Sequence, residues 1–360
     1  MKLTERIFVL ILLIILIGEL LAVSFTVSVG NQPFVEIISY DFAEAGETLS
    51  FQVTYSIDQS RYPYPLVIRL VLIPVYNEVS DKPVYVYYDE NYPCSYITRA
   101  AWMGFVDHLL PTLKLKGYAG VVEVVNANRL KEVMLNQNDP VIIIPSGVFP
   151  ETVHSKTETI VDDYLRGGGT IIWMGDGFAY YSGKLKQNLE WPSEENPGWA
   201  SSEAILGYPL FGNYWPISAY EASPISNALN LQYPGIEKGV TISQALRHDG
   251  LVLGKVYQDK TSIAAVPVGN GSLIIFGGAV GMTRSEFGED IVANDVTNIL
   301  LSNILQSNGQ TSFDTVTREN VANGTLILNT SKDEFAGVYL VAYSIDNYSY
   351  FFNKNFLPLK

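Results

Sequence analysis

The chain has 360 residues, of which 48% are hydrophobic and only 17% charged, and it carries 23 tyrosines. That length suits two domains of about 150 residues each, and the hydrophobic content excludes disorder. A net charge of -14 excludes a nucleic-acid partner and disfavours docking on anionic lipid, since both are held by Lys and Arg.

Lys2 and Arg6 precede a largely apolar run over residues 7–25, interrupted by the single charge of Glu19. About nineteen residues at ~1.5 Å each match the bilayer hydrocarbon, so residues 1–25 read as a transmembrane helix with a cytoplasmic N-terminus. A cleaved signal peptide is the other reading, with Ala22-Val23-Ser24 as its cleavage site. Either way the bulk lies outside the cytoplasm, on the cell surface or secreted. Four Asn-x-Ser/Thr sequons, at Asn270, Asn323, Asn329 and Asn347, are candidate glycosylation sites.

Residues 30–75 read as the first part of a β-sandwich. Leu49, Phe51, Val53, Tyr55 and Ile57 alternate with polar residues, the period-two pattern of a strand with one buried face. Strands are also expected over 34–39 and 66–73. From 82 to 307 short apolar strands alternate with helical stretches: strands at 84–88, 121–125, 141–144, 170–174 and 273–276, helices at 96–113, 129–135, 157–166 and 290–305. This alternation means a parallel sheet covered on both faces. Gly167-Gly168-Gly169 should end the third helix in a left-handed turn. Residues 311–360 read as β again, at 312–317, 325–328, 337–345 and 348–352, with Asp346-Asn347 as a hairpin turn. Seven or so strands suffice for one immunoglobulin-like sandwich, with the central domain inserted into it. Two separate β-extensions flanking the central domain are the alternative.

The stretch from Ile160 through Gly167-Gly168-Gly169 to Trp173 resembles the helix–glycine–strand step of class I glutamine amidotransferase-like domains. So does the stretch from Val266 through Gly269-Asn270-Gly271 to Gly277, followed by a helix ending Asn298 to Leu305. The resemblance covers roughly residues 82–307 and implies a flavodoxin-like fold. It puts Asp176, in Gly175-Asp176-Gly177, where working members carry the nucleophilic cysteine. No His-x-Glu pair follows to activate a thiol; His248 is followed by Asp249 and Gly250. The chain therefore resembles the degenerate, non-catalytic branch, as in gliding-motility and intraflagellar-transport proteins and a non-catalytic subunit of oligosaccharyltransferase. That branch implies a scaffold or partner-binding role.

Residues 178–250 form an insertion dense in aromatics, with Glu190, Glu194, Glu195 and Glu221 among them. It leaves the carboxyl end of a strand, where doubly wound sheets place ligands. The candidate binding residues at that edge are Asp89, Glu90, Ser146, Asp176, Tyr180, Tyr181, Trp191 and Trp215. Flat aromatic faces beside carboxylates suit sugars, while Tyr and Trp also anchor protein interfaces; packing as a lid is the plainest alternative. Paired acids among Asp89, Glu90, Asp176 and Glu190 would be needed for glycoside hydrolysis. Cys94 stands near a helix N-terminus able to lower its pKa. His108, His154 and His248 show no ligand spacing, so neither metal nor cofactor is expected, with a calcium site from Asp89, Glu90 and Asp176 as the alternative. The expectation is a membrane-anchored, extracytoplasmic, non-enzymatic binding or scaffold protein of an envelope or glycosylation assembly. A carbohydrate-active enzyme or glycan-binding protein is the competing class.

Overall fold

The computed structural model describes residues 21–29, 35–38, 49–57, 66–74, 81–95, 97–136, 140–155, 158, 160–175, 177–190, 205–208, 210, 223–224, 231–233, 240–257, 260–277, 289–302, 314–319, 323–330 and 335–344. The chain divides into two units, residues 1–77 with 313–351, and residues 78–312 with 352–360. The first unit opens with four strands, β1 (Leu21–Val29), β2 (Val35–Ile38), β3 (Leu49–Ile57) and β4 (Leu66–Pro74). β1 runs parallel to β3, pairing Leu21 with Leu49 and Val29 with Ile57. This corrects the expected membrane helix at its end: residues 21–25 are strand, and residues 7–20 lie outside the described residues. The physical reason is legible afterwards. From Leu21 onward the sequence alternates, with Leu21, Val23, Phe25, Val27 and Val29 against Ala22, Ser24, Thr26 and Ser28, and period two specifies a strand. Among the described residues no helix is long and apolar enough to cross a membrane.

The second unit alternates strand and helix. It begins β5 (Val84–Tyr87), α1 (Arg99–Leu115), β6 (Val122–Val125), α2 (Ala127–Asn136), β7 (Val141–Ile144) and β8 (Phe149–Pro150). There follow α3 (Ile160–Arg166), β9 (Thr170–Gly175), β10 (Ser182–Lys184), β11 (Asn188–Glu190), β12 (Ser223–Pro224) and β13 (Val240–Thr241). Last come α4 (Ile242–Arg247), β14 (Leu251–Val252), β15 (Lys255–Tyr257), β16 (Lys260–Thr261), β17 (Ile263–Val268), β18 (Gly271–Gly277) and α5 (Glu289–Leu301).

A seven-stranded sheet in the order β14-β17-β18-β9-β7-β5-β6 forms its centre. β6, β5, β7, β9 and β18 are mutually parallel, while β17 and β14 add an antiparallel margin. By order of appearance the parallel strands read second, first, third, fourth, fifth, the doubly wound arrangement that reverses between β5 and β7. α1 packs on α5 and α2 on α3, and right-handed crossovers put these pairs on opposite faces. Covered on both sides, β5 and β7 are buried at every position, which is why they read as unbroken apolar runs.

Local signals set the element ends. α1 starts at Arg99 because Thr98 Oγ1 accepts the Ala101 N–H at 3.1 Å, an N-cap. After α3, Gly168 takes φ 119°, and a Cβ on Gly169 would lie 2.3 Å from the Tyr164 ring; only glycine fits the pair. The aromatic insertion is not a single loop. β10, β11, β12, β13 and α4 all fall within residues 178–250, pieces too short to carry a periodic signature.

The first unit is completed by β19 (Asp314–Glu319), β20 (Asn323–Thr330) and β21 (Phe335–Ser344). Its sheets run β1-β3-β20 and β19-β4-β21-β2, so strands from the two ends of the chain pair directly. The hairpin expected at residues 346–347 and the strand at 348–352 lie outside the described residues.

Candidate functional site

The strand order reverses between β5 and β7, so their carboxyl ends mark the position where doubly wound sheets place ligands. Asp89 stands there, and its carboxylate is occupied. Oδ1 accepts Asn91 N at 2.9 Å and Asn91 Nδ2 at 3.2 Å, and Oδ2 accepts Ala127 N at 3.1 Å, at the start of α2. Arg99 fastens the same loop: Nη2 donates to Tyr92 O at 2.6 Å and Nη1 to Asp89 O at 3.4 Å, with the guanidinium 5.7 Å above the Trp102 ring centroid. Tyr87, the last residue of β5, is 1% exposed and its hydroxyl has no hydrogen-bond partner among the described residues. Burial, and then the charge of Asp89, hold that phenol well above its ordinary pKa, with Arg99 opposing.

On the other side of the reversal, Ser146 follows β7. It is wholly buried and turned on its own backbone, its Oγ donating to Val148 O at 2.7 Å and accepting Val148 N at 3.3 Å. Ser95 N donates to Ser146 O at 2.9 Å, and a Cβ on Gly147 would lie 2.6 Å from Ser95 O, so the two loops touch backbone to backbone. The β10–β11 hairpin lies beside them. Gln187 donates from N to Asn91 O at 2.9 Å and from Nε2 to Glu90 O at 3.1 Å. Glu90 is itself exposed, and Glu190 pairs with Lys184 at 3.2 Å.

Of the aromatic candidates, Tyr181 is buried and Tyr180 half-buried, their rings edge to face at 4.5 Å. Asp176, Trp191 and Trp215 lie outside the described residues. Phe178 joins Trp173 and Phe149 in a buried cluster with centroids 4.8 to 5.6 Å apart. His154 sits against Phe149 at 5.7 Å, and burial pulls its pKa down. The expected lowering at Cys94 is reversed. Burial pushes the half-buried thiol up, outweighing Arg99 and a backbone hydrogen bond, because the thiolate would lose water. Among the described residues no group of three or more His, Cys, Asp or Glu could hold a metal ion. Asn270 is exposed in the turn joining β17 to β18. Asn323 and Asn329 fall on β20, in register with Ser56 and Ser50, and Asn347 lies outside the described residues.

Three residues that organise the unit escaped the sequence reading. Arg99 and Tyr87 sit in segments read simply as helix and strand. Asp295, fully buried on α5, accepts Gln232 N at 3.0 and 2.9 Å and Tyr233 N at 2.7 Å. A lone Asp among Ile291, Val292, Val296 and Ile299 was the available signal, since a buried acid on an apolar stripe needs donors.

The MJECL34 family model matches residues 82–197, the first part of the α/β unit. No curated protein matches the chain. A cold-adapted β-galactosidase from Rahnella sp. R3 is 13% identical with a TM-score of 0.35, over 74% of this chain and 41% of its own. A cytoplasmic protein from Salmonella typhimurium LT2 is 11% identical with a TM-score of 0.35, over 61% of this chain and 99% of its own. A β-galactosidase from Bacillus circulans sp. alkalophilus is 11% identical with a TM-score of 0.33, over 73% and 42%. The chain thus spans about two fifths of these β-galactosidases. None of these likenesses bears on what the chain does.

Proposed function

We propose that the chain is a membrane-tethered, extracytoplasmic binding or scaffold protein without catalytic activity. In this reading a flavodoxin-like, amidotransferase-like domain is inserted in an immunoglobulin-like sandwich, and its partner is a protein of an envelope or glycosylation assembly. The observation that carries it is the Asp89 carboxylate. Its oxygens already accept three N–H groups from Asn91 and Ala127. A general acid or nucleophile needs a carboxylate that can reach substrate, and Asp89 is engaged in holding a loop to a helix. Ser146, closed on its own turn, and Glu190, paired with Lys184, support the same reading. What these side chains build is a fixed surface.

The test has two arms. A membrane-impermeant amine reagent applied to intact cells should modify the chain. Purified full-length protein in detergent should release neither ammonia from glutamine nor sugar from aryl glycosides. Release of either product that disappears in Asp89→Asn overturns the non-catalytic reading, and protection of the chain in intact cells overturns its location.

A further inference from the structure

We propose that two copies of the chain associate through β1, the strands pairing antiparallel about a two-fold axis at Phe25. β1 ends the sheet β1-β3-β20, and among the described residues no strand pairs with its outer edge. Such an edge presents a row of N–H and C=O groups, and natural proteins blunt it with charge, proline or short length. β1 has none of these. It runs for nine residues, from Leu21 to Val29, without a charge or a proline. The unit's other sheet ends differ. β19 carries Asp314, Arg318 and Glu319, β2 has four residues including Glu36, and β20 adjoins β19.

The order of residues in β1 says what fits its edge. Turned end for end about Phe25, the strand matches itself. Ser24 falls opposite Thr26 of the partner subunit, and Val23 opposite Val27 of the partner subunit. The outer pairs follow suit, small opposite small at 22 and 28 and aliphatic opposite aliphatic at 21 and 29. All nine positions are used. A two-fold interface requires this self-complementarity, and apolar and hydroxyl pairs facing across strands favour the ladder.

The parent sheet already sorts its residues in the same way. The apolar positions of β1 are in register with those of β3, from Leu21 beside Leu49 to Val29 beside Ile57, and Ser24 and Thr26 stand beside Gln52 and Thr54. Pairing therefore carries both faces across the junction without a break. The product is one six-stranded sheet, β20-β3-β1 followed by β1-β3-β20 of the second copy. No residue of β1, β3 or β20 is charged, so nothing in the sheet repels its copy.

The test uses full-length protein in detergent, with Cys94, the sole cysteine, replaced by Cys94→Ser. Opposed Cβ atoms lie about 5 Å apart, close enough for a disulfide after a small adjustment, whereas diagonal ones lie about 7 Å apart. A mixture of the Ser24→Cys and Thr26→Cys proteins under copper-catalysed air oxidation should therefore form covalent dimers several-fold faster than either protein alone. Sedimentation equilibrium supplies the second arm. Ser24→Glu with Thr26→Glu sets carboxylate against carboxylate at two pairs and should weaken association about tenfold. Ser24→Lys with Thr26→Glu sets opposite charges at the same pairs and should restore it. Both doubles change the same two positions, so a folding defect would affect them alike. A mixture that outpaces the single proteins, together with doubles that diverge in this sense, supports the pairing. A chain that stays monomeric at micromolar concentration, as it would if the edge served a strand of another protein, overturns it. So do cross-links equally fast in the single proteins, or doubles with equal effects.

Discussion

At the end of β5, half-buried Asp89 gathers the N–H groups of Asn91 and Ala127; on α5, wholly buried Asp295 gathers those of Gln232 and Tyr233. The two carboxylates do the same kind of work, pinning irregular backbone to a helix. Their surroundings differ. Asp89 can draw on solvent, whereas Asp295 is removed from water and depends on the protein for its donors. Tyr233 extends the second anchorage, its hydroxyl donating to Gly277 O at 2.8 Å while Ser262 Oγ donates to Tyr233 O at 2.8 Å. A carboxylate in a loop beyond a strand invites a catalytic reading, yet donors decide its role.

The contrast should appear in stability. Asp295→Ala takes this acceptor from the buried Tyr233 N–H and the part-buried Gln232 N–H, and should lower urea-measured unfolding free energy by about 3 kcal/mol or more. A loss below about 1 kcal/mol would dissolve the distinction between the two sites. Asp89→Ala removes comparable bonds where water can replace them, and the same measurement should give about 1 to 2 kcal/mol; equality with Asp295→Ala would break the comparison. The smallest effect has the opposite sign. Tyr87→Phe deletes a buried hydroxyl that has no partner among the described residues, so stability should stay level or rise by up to about 1 kcal/mol. A clear loss would mean that the hydroxyl is engaged in solution.

The inner parallel strands were legible because burial on both faces leaves them as short apolar runs. Residues 141–144 were read with the boundaries they have, and β3 was read from its strict alternation. The start of α1 was less legible: the expected helix began at residue 96, while the Thr98 cap starts it at Arg99. In the candidate site, Asp89 and Glu90 follow β5 and Ser146 follows β7, a placement that comes from topology alone. Their chemistry was not legible, because it depends on donors such as Ala127 N and acceptors such as Val148 O that no local pattern announces. The same holds for Asp295, whose donors lie 62 and 63 residues away in sequence.

The starting point of β1 sets a ruler against the lipid. Counting back from Leu21 to Ile7 leaves fourteen apolar-run residues, Ile7 to Leu20, and as a helix these would measure about 21 Å against a hydrocarbon slab of roughly 30 Å. Cutting after Ser24 would instead shear four residues from the nine-residue strand that lies along β3. Residues 21–25 cannot sit in the bilayer and in this sheet at once, so an anchor formed here would have to draw the β-unit down against the headgroups or thin the membrane around it.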